Sequence, residues 1–518
     1  MTDTASIQKS YDQLPYDTCA YARTHPNRIG SLAHMMGLKA PSLRGARILE
    51  IGCADGGNLL PMAYGLPEAE CWGFDLSPAQ IERGQADLDA IGLANVRLDV
   101  ARVEDAPYPG QKFDYILAHG IYSWVPVHVR AQILAYIADR LTPNGLAFVS
   151  LNVYPGWRGR ERVRDFIYHM CGREPHPTIE HGEQVMGFLK HLTTAHEAFP
   201  YGPMGPVCDM AQTWSRMTPG LLAHGPLAQI NDPCYFDEFA VEFRKHGLDY
   251  VADAEDGWVT AHHPLFANFG LSGFLEAHPE RIEQAIDFIR NQAFRRTILT
   301  RQTNGVQRPL NIDANRLQTL HLVGRTTADL AAHAMNSTDP LVFRQLDNDA
   351  LSATVNEPMT KYALAALVEH PWRPIAFHAL VAHVEQRMER PLSQADQGVL
   401  CRDLTELFSH GLVELHLEQP KHLTGERPKL PEAHPVARHF ASRQGHVPSY
   451  RHGTVEINDF QRVLLSHMDG TQSVDDLVSV LQPRVPSHSA AELRAAIEAD
   501  VDRLDDACLL ARHPSISD

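Results

Sequence analysis

The alternation of apolar runs and amphipathic segments between about residue 45 and residue 152 leaves this chain few folds to choose from. ARILEIGC reads as a strand that runs into a glycine-rich turn, and the helix that follows spans Asn58–Tyr64 and ends at Gly65. ECWGFDLS is a second strand. Pro78–Ile91 reads as a helix with Ser77 as its N-cap and Gly92 just past its end. NVRLDV and FDYILAHG are a third and a fourth strand. Val127–Leu141 is a helix stopped by Thr142-Pro143-Asn144-Gly145, and GLAFVSLN is a fifth strand. Strands that alternate with helices pair in parallel through crossovers, which predicts an α/β fold, a Rossmann-like doubly wound sheet.

The loop between the first strand and its helix, ILEIGCADGGN (Ile48–Asn58), carries the chemistry. Glycines after a buried strand let the backbone approach a ligand and aim the N–H groups of the next helix at it. Glu50 ends the strand, and Asp75 ends the second strand about 20 residues beyond the loop, where a carboxylate can accept hydrogen bonds from ribose hydroxyls. NAD and S-adenosylmethionine (SAM) both suit a nucleoside site of this shape. Glu50 and Asp55 would repel a pyrophosphate, and they suit the zwitterionic, sulfonium-bearing tail of SAM.

Bulk properties exclude several classes. A chain of 518 residues implies two to four domains, and 44% hydrophobic with 21% charged residues is a globular composition. The formal charge of −17, with no basic stripe, argues against nucleic acid. The eight cysteines (Cys19, Cys53, Cys71, Cys171, Cys208, Cys234, Cys401, Cys508) form no CxxC pair, and the 29 histidines form no HExxH. Neither a disulfide framework nor a metal site is expected. No run reaches the ~18 apolar residues of a membrane span, and MTDTASIQKSYDQ has no signal core. The expectation is a cytoplasmic protein without membrane partners.

Ile48–Asn58 resembles motif I of the class I SAM-dependent methyltransferases, E/D-x-G-x-G-x-G, with Ala54 at the middle glycine. The resemblance implies that Asp75 holds the ribose, Leu76 and Val103 line the adenine pocket, and Asp105 meets the adenine amino group. It places Gly52, Cys53, Gly56 and Asn58 along the cofactor loop. Longer strings narrow the family: YDQLPY (Tyr11–Tyr16), THPNRIG, FDLSPAQIERGQ, FDYILAHGIYSWVP, SLNVYPGWRGR, NDPCYFDEFA and FIRNQAFRRTIL. Together they resemble methyltransferases with a methyltransferase regulatory domain, among them rickettsial outer-membrane-protein lysine methyltransferases. That similarity implies SAM as cofactor and a homodimer. LLAHGPLAQIND departs from the family pattern, so no role is carried over to His224.

The acceptor should meet the methyl group beyond the carboxyl ends of the strands. His119, Tyr122 and Trp124 leave the fourth strand there, and Asn152 and Tyr154 leave the fifth. His119 or Tyr122 is read as a polar contact to the nucleophile, with a place for His119 beside the cofactor, and Trp124 as a wall. Tyr11 and Tyr16 are expected to fold over the cofactor. After Gly156 the pattern turns helical, with Arg160–Cys171, Glu180–Phe199, Phe236–Lys245 and Glu280–Leu299 read as helices. The expected units are 1–157, a SAM-binding domain with an N-terminal lid, and 158–335, a mostly helical substrate or dimerisation module. A winged-helix-like unit at 336–425 and a helical or winged-helix-like unit at 426–518 complete the chain. The expected function is N-methylation of protein lysine side chains. A small-molecule or ribosomally made peptide acceptor is the alternative, and a non-catalytic SAM-binding regulator the second.

Overall fold

A computed structural model describes residues 8–9, 12, 18–174, 178–198, 205–255, 270–306, 312–330, 335–346, 348–423, 425–486 and 488–512. Seven strands, β1 (Arg47–Ile51), β2 (Glu70–Asp75), β3 (Val96–Val100), β4 (Phe113–Ala118), β5 (Leu141–Asn152), β6 (Leu248–Asp253) and β7 (Phe294–Arg301), form one sheet in the order 3-2-1-4-5-7-6. β1 pairs in parallel with β2 on one side and β4 on the other. The chain therefore reverses its direction of travel across the sheet between β1 and β4, which opens a crevice at their carboxyl ends.

The strands are apolar because both sheet faces are covered. Leu49, Ile51, Ile116, Ala118 and Val149 face Val129, Ile133 and Ile137 of the helix Val127–Arg140 and Phe239 and Phe243 of the helix Phe236–Lys245. On the other side Ile48, Tyr115, Leu117 and Phe148 pack with Ile29 and Leu32 of the helix Pro26–Met35 and with the unit beyond residue 314. Helix boundaries follow local chemistry. Ser77 Oγ accepts from Gln80 N–H, and Gly92 at φ 79° closes the helix Pro78–Ile91, as its sequence predicts.

The segment after β5 departs from its sequence reading. Glu280–Leu299 is not one helix: the helix Ile282–Arg290 stops at Asn291, left-handed at φ 49°, and the chain then extends as β7. Thr297, Ile298 and Thr300 are β-branched residues that fit a half-buried pleated surface better than a helix. β7 runs antiparallel to β5, and β6 antiparallel to β7, so a module expected to be helical also completes the sheet. Its other helices, Trp157–Cys171, Ile179–Ala198, Gly205–Trp214 and Pro219–His224, share a small core around Val163, Leu189, Trp214 and Leu222.

Further along, the helices Pro358–Glu369, Phe377–Met388 and Gln394–Ser409 pack on a small sheet made by Ile375–Ala376, His321–Gly324 and Val413–His416. The last unit combines four helices, from Pro435–Ala441 to Ala490–Asp506, with the hairpin His446–Pro448/Thr454–Glu456. Its core takes in Leu60 from the sheet domain, and Asp87 receives both Arg443 and His439. The C-terminal unit is thereby fastened to the helices that follow β1 and β2.

Candidate active site

At the switch point lies a cavity of about 340 Å³. The loop after β1 forms its floor. Gly52 takes φ 70°, and its N–H and that of Cys53 both donate to Phe74 O, which ties the loop to β2. Ala54 is also left-handed, at φ 48°. Gly57 has no room for a side chain, because a Cβ there would lie 2.1 Å from Thr18 Oγ1. That hydroxyl accepts from Gly57 N–H at 2.8 Å and donates to Asp55, whose other oxygen binds Arg83. The Asp55 charge is thus held by Arg83 outside the ligand space.

Two carboxylates at strand ends, Asp75 and Glu50, face the cavity, and Glu104 joins them from the turn after β3. Asp75 at the tip of β2 accepts from Ala54 N–H at 3.0 Å and Ser77 N–H at 2.9 Å, and burial raises its pKa. Glu50 is 4% exposed; its Oε1 accepts from Asn58 Nδ2 at 2.8 Å. Glu50 Oε2 is buried and has no hydrogen-bond partner among the described residues. Burial pushes the Glu50 pKa up to about 8; the Asn58 hydrogen bond opposes the rise and the Asp75 charge adds to it. A buried carboxylate oxygen without a donor is costly, and a cationic ligand would satisfy it.

Flat apolar surface for a base comes from Leu76, Val103, Phe74, Ala101 and Ile121. The opposite wall is assembled from the exit of β4 and from the module beyond it. His119 and Trp124 line the cavity together with Tyr21, Met217, Leu221, His224, Gly225 and Phe294. The His119 ring meets Tyr21 edge-on at 4.3 Å, and Nδ1 lies 2.9 Å from Ser150 Oγ. Burial, with Arg296 nearby, lowers the His119 pKa to about 3, so the imidazole is neutral. Trp124 Nε1 donates to Gly225 O at 3.3 Å and so ties the β4 exit to the neighbouring module.

Of the residues expected at the site, Glu50, Gly52, Cys53, Asn58, Asp75, Leu76, Val103, His119 and Trp124 line this cavity. Gly56 supports the turn from behind, at φ 81°, against Leu60 and Leu98. Asp105 is exposed on the far side of the short turn Val103–Asp105, and Glu104 faces the cavity in its place. Tyr11 and Tyr16 lie outside the described residues.

Tyr122, Asn152 and Tyr154 are absent from the lining, each for a packing reason. The Tyr122 ring is buried edge-on against Phe239 at 4.9 Å, in the interface with the helix Phe236–Lys245. Asn152 Nδ2 donates to Asn231 Oδ1 at 2.8 Å, and Asn231 Nδ2 donates to Gly225 O at 3.1 Å, so Asn152 supports the wall from behind. Tyr154 donates to Glu161 Oε1 at 2.7 Å beneath the Arg158 guanidinium. Thr18, Tyr21, Met217, Leu221 and Phe294 were not singled out by sequence, and His224, to which no role was carried over, also lines the cavity. Tyr21 lies between YDQLPY and THPNRIG, and that proximity was the one available signal. No cluster of residues among those described could hold a metal ion, and no described helix is long and apolar enough to cross a membrane.

Comparison with known proteins gives three family matches. Residues 48–145 match a methyltransferase domain, 218–301 a "predicted methyltransferase regulatory domain", and 426–501 a "PKMT, C-terminal winged helix domain". Uncharacterized protein RP789 of Rickettsia prowazekii is 27% identical over 490 residues, which are 93% of this chain and 87% of that protein. Uncharacterized protein RP028 of the same organism is 32% identical over 238 residues, 46% of this chain and 94% of its own length. The solved structure of PKMT2 from Rickettsia typhi shares the fold, with a TM-score of 0.82, 24% identity, and coverage of 96% of this chain and 100% of that one. PKMT2 has also been solved in complex with AdoHcy (TM-score 0.81, 23% identity, 96% of this chain and 100% of that one).

Proposed function

We propose, from the premise that this chain belongs to the class I SAM-dependent methyltransferases carrying a methyltransferase regulatory domain, that it methylates lysine side chains of a protein acceptor. SAM is the cofactor, and the cavity fits it on its own chemistry. Asp75 would hold the ribose, Leu76 and Val103 the adenine faces, and the partnerless oxygen of Glu50 the cationic tail. Bound there, SAM supplies a methyl group on a sulfonium leaving group.

The protein's own task is then to align the nucleophile, dry it and keep it neutral. One observation carries the lysine reading. Among the lining residues from the β4 exit, 217–226 and β7, none is a carboxylate, a lysine or an arginine. Tyr21, Trp124 and Phe294 supply aromatic surface, and two imidazoles, His224 and the neutral His119, add polar groups. A lysine with an ordinary pKa near ~10.4 must lose its proton before it attacks, and a mostly apolar wall without a carboxylate to hold the ammonium favours the neutral amine. The same rings suit the methylated ammonium that results, through cation–π contact. His119 and Trp124 are the residues assigned to the acceptor. Asn152 acts on it through Asn231 and Gly225.

The fold shared with PKMT2 supports a protein acceptor. A homodimer, implied by the family resemblance, and a cytoplasmic setting, expected from cysteines that are all unpaired, belong to the same proposal. Methyl-labelled SAM incubated with the protein and a fractionated lysate of its own organism tests it. Label is expected in protein and, after hydrolysis, in methyl-lysine. Label confined to small solutes would overturn the acceptor assignment.

A further inference from the structure

One side chain of the C-terminal unit reaches the polar centre of the cofactor site. The hairpin His446–Pro448/Thr454–Glu456 turns through Ser449–Gly453, and His452 near its tip is 4% exposed. His452 Nε2 lies 2.9 Å from Asn58 Oδ1. The same oxygen accepts from Tyr21 N–H at 3.0 Å and from Thr24 Oγ1 at 3.1 Å. An atom that collects these donors is the amide oxygen, so the Asn58 NH₂ must point the other way, to Glu50 Oε1 at 2.8 Å. His452 carries its proton on Nε2 by the same logic. Burial, with His25 and His434 nearby, holds its pKa well below the usual value, so the ring is a neutral donor at physiological pH.

Two further features mark this contact. His452 takes φ 57°, a left-handed conformation that glycine or asparagine adopts more easily. A bulky residue persists there only where its surroundings fix it. Thr454 Oγ1, two residues on, donates to Ala20 O at 2.9 Å. The hairpin thus also grips the segment that brings Thr18 to the loop after β1 and Tyr21 to the cavity.

We propose that His452 is a positioning residue for the cofactor: by capping Asn58 it holds the Glu50 carboxyl with one oxygen bonded to Asn58 and the other turned to the cavity, so the C-terminal unit completes the SAM site from outside. This rests on the SAM assignment. The chain of contacts is His452 to Asn58, Asn58 to Glu50, and Glu50 to the ligand, and nothing in it requires His452 to touch SAM.

Calorimetric SAM titration of the full chain tests it, with His452→Phe, Asn58→Ala and the double variant, each also melted. Losing one buried hydrogen bond corresponds to about fivefold to tenfold weaker binding in His452→Phe. In the Asn58→Ala background the same change should cost less than about twofold, because the link is already broken. His452→Gln, which keeps a donor, should stay within about threefold of the unaltered chain. If His452→Phe does not fold, His452→Asn takes its place, since asparagine tolerates the left-handed backbone and is shorter. A lower melting temperature with unchanged SAM affinity would overturn the proposal, and so would full additivity with Asn58→Ala. Failure of the unaltered chain to bind SAM would remove the cofactor assignment and this proposal together, an outcome distinct from both.

Discussion

Ala54 stands where the motif has its middle glycine, and its backbone is left-handed at φ 48°. An alanine there costs about 1–2 kcal/mol relative to a relaxed conformation, and the N–H it presents to Asp75 helps to hold it. Such residues were legible in the sequence because backbone geometry restricts the amino acids that can occupy them. Glu50 and Asp75 were legible as cavity residues because strand ends at a switch point face the crevice. Met217 and Phe294 were not, because remote segments bring them to the cavity. Asp75→Ala should weaken SAM binding by more than about 100-fold in calorimetry, since it removes the carboxylate at the tip of β2 and with it an anchor of the loop. Gly57→Ala should weaken it by about tenfold or more, because its Cβ displaces Thr18. Glu50 gives a pH signature. Its carboxyl, at about 8 in the free protein, is largely protonated at pH 7. A cationic ligand binds the ionised form, so affinity should rise as pH climbs from about 6.5 towards 8. The ratio of wild-type to Glu50→Gln affinity isolates this effect from any titration of SAM itself, and a flat ratio would remove Glu50 from the cation's contacts.

Elements explain why the aromatic exit of β4 was only half understood from sequence. His119 and Trp124 turn into the cavity, whereas Tyr122, in the short helical turn Tyr122–Trp124, faces the helix Phe236–Lys245. Tyr122 and Trp124 share one tight turn and cannot both point the same way, and the sequence does not say which face the neighbouring module will cover. Tyr122→Phe should leave kcat within about twofold, while Tyr122→Ala should cost about 3–5 kcal/mol by opening that interface. β7 was missed for another reason: the sequence pattern of Glu280–Leu299 is helical up to Arg290, and the break is marked by Asn291 and the β-branched residues beyond it. Where β6 and β7 meet, Arg295 is buried with Asp253, Glu283 and Asp287. Burial, offset by Arg295 and reinforced by the neighbouring carboxylates, pushes Asp253 up to about 7 and Asp287 up to about 6. The folded state therefore binds these protons more tightly than an unfolded chain, whose aspartates titrate near ~3.9. That stabilisation is complete below the unfolded value and is lost as pH rises through about 6 to 7. Melting temperatures across pH 4–8 should fall in this window, and Asp253→Asn should flatten the decline.

At the scale of the whole molecule, the parallel core was readable from alternation alone, but the docking of later units onto it was not. Charge and composition carry no address for a contact such as Asp87 with Arg443, or Leu60 within the C-terminal core. Residues 1–425 expressed without the last unit should expose Leu60 and Tyr64, aggregate and bind SAM poorly, as light scattering and calorimetry would record. The antiparallel closure of the sheet bears on how the chain is made. β5 ends at Asn152 and β7 begins at Phe294, so a ribosome adding 5–20 residues per second needs roughly 7–30 s to supply the neighbouring strand. Throughout that interval the newborn chain carries a bare strand edge of the kind that invites pairing with other chains. Synthesis rate and chaperone supply, more than final stability, should therefore govern the soluble yield of this protein.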